Sequence, residues 1–116
     1  MIYVYRILTQ AEWRQSQRQG TISPNALDQR SGFMHLSGED EVLETTARYF
    51  SPDTDPIALR ISAEALGSQL RWEPVTSRGG TSFPHLYADE LDLALVHVAL
   101  PLCPQPDGSF AWGDVI

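Results

Sequence analysis

The apolar residues of this chain come in short runs, each cut off by turn-forming or charged residues, and that punctuation constrains the fold more than any one motif does. The longest, Leu91 to Leu102, is broken by Asp92, His97 and Pro101 and falls far short of the roughly 20 apolar residues a membrane span needs. It predicts a buried strand, Leu93 to Leu100, the last of the chain. At the other end Ile2, Val4, Arg6 and Leu8 alternate with Tyr3, Tyr5 and Ile7, a period of two with both faces partly covered. Ile57, Leu59 and Ile61 alternate with Ala58, Arg60 and Ser62 as a half-buried strand. With 116 residues, 42% of them hydrophobic, there is core enough for one mixed α/β domain and no room for a second. That single domain is assigned to residues 1–103. The remainder, 104–116, follows Pro101 in a stretch rich in Pro, Gly and Asp and is expected to be a flexible, loosely attached C-terminal tail.

Helix signals lie between the strands. Thr9 and Glu12 have capping-box spacing, Leu8 and Trp13 occupy the positions of a hydrophobic staple, and Gly20 can close the turn, so a surface helix is predicted from Gln10 to Gln19. Ser23-Pro24-Asn25 and residues 28–32 read as turns, followed by a short strand, Phe33 to Leu36, that carries His35. Ser37 is expected to cap a second helix, with Glu39, Asp40 and Glu41 in its first turn, Leu43, Thr46, Ala47 and Phe50 on one face, and Pro52 as its stop. Residues 62–67 have room for one helical turn. Leu70 and Trp72 face one way along a strand and Arg71 and Glu73 the other, until Pro74 ends it. Residues 75–82, containing Arg78-Gly79-Gly80, read as a mobile loop able to act as a lid. Pro84 holds Phe83 extended and delivers His85, Leu86 and Tyr87.

Charge removes whole classes of partner. A net charge of -7, with eight arginines and no lysine, repels nucleic acid phosphates and anionic membranes. The lone Cys103 cannot form an internal disulfide and, set between Pro101 and Pro104, reads as a spectator thiol in a turn. The N-terminus enters a strand directly, without the basic region, apolar core and cleavage site of a signal peptide, so a cytoplasmic location is expected.

His35 by itself reads as a core histidine with a satisfied ring. Its company changes the reading, because Trp72-Glu73 and His85-Leu86-Tyr87 add an aromatic ring, a carboxylate, a second imidazole and a phenol around a glycine-containing loop. Such a set suits a sugar or a nucleotide. His97, between Val96 and Val98, is left outside it as a structural histidine. No metal site is predicted, since neither His-x-x-x-His nor Cys-x-x-Cys occurs. A serine hydrolase is excluded by the lack of a Gly-x-Ser-x-Gly elbow, and the acidic turn at residues 39–41 disfavours phosphate at the helix start after Ser37.

Taken together, IYVYRI, Trp13, Gly20, GFMHLS, RYF, LRWEP and FPHLY resemble the Domain of Unknown Function 952 family, over about Ile2 to Leu100. The resemblance implies an α+β fold, a split, mostly antiparallel sheet with flanking helices, similar to ADP-ribosyltransferases and RNA 2′-phosphotransferases around an NAD-binding cleft. It therefore implies a nucleotide-type ligand, NAD or ADP-ribose, with NAD as a substrate and no cofactor required. His35 and Glu73 would be catalytic, Glu73 as the carboxylate near the ribose hydroxyls and His35 as a hydrogen-bonding partner of ribose. Arg6, Ser37, Trp72, His85 and Tyr87 would bind the ligand, with Tyr87 or Trp72 stacked on its base. ADP-ribosyl transfer, NAD glycohydrolysis, binding without turnover, and a protein-interaction module are the activities left open.

Overall fold

The computed structural model describes residues 1–114. The chain runs through β1 (Tyr3–Leu8), α1 (Gln10–Gln19), β2 (Thr21–Ile22), α2 (Ala26–Ser31), β3 (Met34–His35), β4 (Ser37–Gly38) and α3 (Val42–Tyr49). It continues through β5 (Ile57–Ser62), α4 (Ala63–Leu66), β6 (Leu70–Pro74), β7 (Ser82–Leu86), β8 (Leu91–Asp92), β9 (Val96–Pro104) and β10 (Phe110–Trp112). Five strands pair in the order β10-β9-β5-β1-β4, three in the order β3-β7-β6, and β2 pairs with β8. Every pairing is antiparallel. The segment from Met34 to Gly38 belongs to both larger sheets, because its first half pairs with β7 and its second half with β1. The sheet is therefore split, and the split places His35 at the junction.

Apolar alternation explains the layers. Val4, Leu8, Leu59 and Ile61 from the larger sheet meet Met34 and Leu86 from the smaller one in a shared core. Tyr5, Ile7, Ala58 and Leu100 fill the opposite face of the larger sheet, where α3 covers them with Val42. Strand β5 is thus buried on both faces, a correction to the half-buried reading that follows from its central place in the sheet. Helix α1 forms as predicted. The Thr9 hydroxyl accepts the Glu12 amide at 3.1 Å, Glu12 Oε1 accepts the Thr9 amide at 2.9 Å, and Gly20 takes the left-handed conformation at φ 81°.

Other expectations change. Residues 26–31 form a helix where turns were expected, because the Asn25 side chain and Asp28 build a second capping box closed by Gly32. Ser37 caps nothing; it is buried in β4 opposite Tyr5, and Gly38 precedes a 3-10 turn over Glu39–Glu41. On α3 the buried positions are Val42 and Thr46, while Ala47 is exposed, and the helix starts four residues later than a cap at Ser37 would have set it. Cys103 lies in a strand, exposed, and not in a turn. Nor is the tail loose through residue 112, because β10 pairs with β9 and buries Phe110. Residues 115 and 116 of that expected tail lie outside the described residues.

The expected lid is held down. Arg78, whose side chain is 6% exposed, donates to the Thr45 hydroxyl at 3.1 Å, lies 3.3 Å from Glu44 and covers the Phe83 ring at 4.7 Å. Val75 and Thr81 close the loop through a backbone hydrogen bond of 3.0 Å, and a 3-10 turn over Thr76–Arg78 fills it. Arg78→Ala is expected to cost about 1–3 kcal/mol and to lower the hydrogen-exchange protection of the Val75 and Gly80 amides. Unchanged protection would show that the loop holds itself without α3.

Candidate functional site

The smaller sheet turns one face to the core and carries polar and titratable side chains on the other. Met34, Leu86 and Leu70 are register partners across β3, β7 and β6 and turn inward. The next row, His35, His85 and Arg71, must turn the other way, because successive strand residues alternate. Glu73 lies on that same face two residues beyond Arg71, and Tyr87 follows His85 at the same interval.

Each histidine is held by its own carboxylate. Asp28 Oδ1 lies 2.7 Å from His35 Nδ1, and Glu73 Oε1 lies 2.8 Å from His85 Nδ1. An ionised carboxylate only accepts, so Nδ1 carries the proton in both rings and Nε2 is the free nitrogen when the ring is neutral. Among the described residues neither Nε2 has a hydrogen-bond partner, and neither is one of the buried unpartnered atoms, which are Arg6 Nε and Arg78 Nη2. Both therefore reach solvent. The His35 ring is one-third exposed and His85 nearly covered, with ring centroids 5.9 Å apart. Phe33 stacks on His85 at 3.9 Å and leans on His35 at 4.7 Å, which excludes water from one side of the pair.

The two carboxylates differ in setting. Asp28 is buried beneath the site, where α2 places it. It pairs with the Arg6 guanidinium at 2.7 Å and accepts the His35 amide at 3.0 Å and the Asn25 amide at 2.9 Å. Burial pushes its carboxyl up, but the His35 and Arg6 hydrogen bonds, the Arg6 charge and the Asn25 amide outweigh that and hold it far below the usual carboxylate range. Glu73 is more open. Hydrogen bonds from the Tyr87 hydroxyl, at 2.7 Å, and from His85 lower its carboxyl, and the same Glu73 contact raises the Tyr87 phenol. Arg71 lies over the Tyr87 ring at 4.9 Å.

Of the residues expected from sequence, His35, Glu73, His85 and Tyr87 converge. Arg6 does not face a ligand, being 2% exposed and committed to Asp28 and to the His35 carbonyl at 2.9 Å. Ser37 is buried in β4, and Trp72 lies on the other face of β6 against Gly38. The indole is 47% exposed and lines a separate cleft of about 390 Å³ with Tyr3, Glu39 and Asp40. A neighbouring cleft of about 450 Å³ is lined by Tyr5, Arg60 and Trp112. His97 is exposed and packs edge-on against Tyr3, outside the site as expected. The sequence reading missed Asp28, Phe33 and Arg71. Asn25-x-x-Asp28 followed by Gly32 repeats the spacing logic of Thr9-x-x-Glu12 and Gly20, and that signal was available for Asp28. Among the described residues no three His, Cys, Asp or Glu side chains are grouped to hold a metal, and no helix is long and apolar enough to cross a membrane.

The family model described as protein of unknown function (DUF952) matches residues 7–99. Protein CC0527 from Caulobacter crescentus is similar in its crystal structure, with a TM-score of 0.84 and 37% identity over 94% of this chain and 93% of that one. Its solution NMR structure gives a TM-score of 0.79 and 38% identity over 94% and 91%. No curated protein matches the chain.

Proposed function

This chain belongs to the DUF952 family, and from that premise we propose that the histidine face of its smaller sheet binds a nucleotide-type ligand, related to NAD or ADP-ribose, and moves protons on it through His35 and His85. The observation that carries the reading is the pair of opposed imidazoles, each fixed at Nδ1 by a separate carboxylate and each leaving Nε2 open. A ring held in that way is a general acid or base whose tautomer and direction are already set. The half-buried rings of Phe33 and Tyr87 give a planar base an aromatic edge to stack on. We also propose that the split antiparallel sheet is of the ADP-ribosyltransferase type. Its support is the strand shared between a five-stranded and a three-stranded sheet. Shared architecture is weak warrant for shared chemistry, so ADP-ribosyl transfer or NAD glycohydrolysis rests on the site. There Glu73 acts mainly by holding His85, and its second oxygen is the group that would meet a ribose.

A second reading, binding without turnover, is favoured by one contact, the Phe33 ring stacked on His85 at 3.9 Å, which covers the less exposed imidazole. Titrating NAD and ADP-ribose while following melting temperature and nicotinamide release separates the two. Saturable protection, reaching about 2.7 kcal/mol at a hundredfold excess over Kd, is expected and should vanish in His35→Gln. Release of nicotinamide assigns turnover, and protection without release assigns a binder. No protection by either nucleotide overturns the proposal.

A further inference from the structure

We infer that the ligand's anionic group is a small cyclic phosphodiester seated between His35, His85 and Arg71, and that the two imidazoles hydrolyse it; this rests on the histidine face being the ligand site. Arg71 stands opposite His85 across one strand pair as His35 does across the other, so three basic side chains form one row. Five of the eight arginines, Arg14, Arg18, Arg30, Arg60 and Arg71, make no ion pair among the described residues, and Arg71 is the one of them in register with His85. Arg6, Arg48 and Arg78 are drawn into ion pairs. Arg71 is exposed and has no ion pair among the described residues, because the nearest carboxylate on its face, Glu73, turns to His85 and Tyr87. Its fork of N–H donors matches the non-bridging oxygens of a phosphate.

The carboxylates point the chemistry the same way. Asp28 is sealed behind His35, and Glu73 Oε1 is shared by His85 and Tyr87, so the groups open to a substrate are two Nε2 nitrogens, a guanidinium and the second oxygen of Glu73, which is placed to meet a sugar hydroxyl. Hydrolysis of a phosphodiester needs a base at the attacking water and an acid at the departing oxygen. One neutral imidazole takes a proton from water as the water oxygen bonds to phosphorus. The ester P–O bond breaks, and the alkoxide takes a proton from the other, protonated ring. The products are a phosphomonoester and an alcohol, the two rings have exchanged protonation states, and exchange with solvent resets them. Water is the only co-reactant. The net charge of -7 disfavours a polyanion and leaves a singly charged diester, for which a nucleoside 2′,3′-cyclic phosphate, its base against Phe33 or Tyr87, is the proposed substrate.

The test is incubation of the full chain with a nucleoside 2′,3′-cyclic monophosphate, followed by 31P NMR. Conversion to a phosphomonoester is expected, with Arg71→Gln raising KM about tenfold or more while its melting temperature stays that of the parent, as loss of one charged hydrogen bond at an exposed site predicts. If NAD or ADP-ribose protects the chain through His35 while the cyclic phosphate is neither cleaved nor protective, this inference is overturned and the nucleotide reading stands. If none of these nucleotides protects, both fall. Cleavage with an unchanged KM in Arg71→Gln overturns the role of Arg71.

Discussion

Asp28→Ala is expected to destabilise the fold by about 3–5 kcal/mol, the cost of removing one partner from a buried ion pair. The reason is what it strands. Arg6 is 2% exposed, and its charge is balanced at Asp28. The Asn25 and His35 amides and His35 Nδ1 would also lose their acceptor. Against a typical total of about 5–15 kcal/mol, that loss takes from about a fifth to all of the folding free energy. Chemical denaturation measures it, and a cost below about 1 kcal/mol would mean the pair is not what holds α2 to β1 and β3. A second variant separates charge from hydrogen bonding. Arg6→Met with Asp28→Leu removes both charges and should recover much of the loss, but not all, because the two amides and the imidazole stay without their acceptor.

The same carboxyl sets the acid limit. Its folded pKa is depressed below the unfolded value, so its contribution is complete above the ordinary carboxylate range and is lost as pH falls through that range toward the folded value. Stability should fall steadily below about pH 4, and Asp28→Asn should flatten that slope while lowering stability at neutral pH.

How much of this was legible in the chain depends on distance along it. Helix α1 was fully written in Thr9, Glu12 and Gly20, since a capping box is a contact between near neighbours. The strands β1, β5 and β7 followed from alternation and from Pro84, which also act locally. The site was legible as a set of residue types in two segments, and β3 pairing with β7 did bring His35 to His85. Other placements were not readable, because they depend on partners far away. Arg78 is a loop residue by sequence and an anchor only because α3 presents Glu44 and Thr45 to it. Trp72 was expected to stack on a ligand's base, yet it lies on the edge strand of the smaller sheet with its indole against Gly38, on the face away from the histidines. Arg6 offered a charge to a ligand until Asp28, 22 positions away, claimed it. Alternation told which residues share a face and not which face the core takes.

Exchange of the two histidines should produce the largest functional losses. His35→Gln and His85→Gln are each expected to lower turnover by about 10²–10⁴, measured as nicotinamide from NAD or phosphomonoester from the cyclic phosphate, because each ring carries a proton in the reacting step. Their stability costs should diverge. The His35 ring is one-third exposed and keeps Asp28 on Arg6 when replaced, whereas His85 is 8% exposed under Phe33 and anchors Glu73. His35→Gln should therefore remain folded with little change in denaturation midpoint, and an unfolded variant would mark the imidazole as a structural core group. Glu73→Gln belongs in the same set. Its carboxylate is held below the usual range by Tyr87 and His85 and is ionised throughout neutral pH, so the variant should show a smaller loss with no pH dependence of its own between pH 6 and pH 8, a window that lies above the ordinary carboxylate range. The decisive comparison is the double exchange. Groups that act as one acid–base unit are non-additive, since losing either already stops the proton from crossing the ligand. His35→Gln with His85→Gln should thus be no slower than the slower single variant. Losses that multiply would mean that the rings work separately, and a shared centre would no longer explain why the fold places them opposite one another.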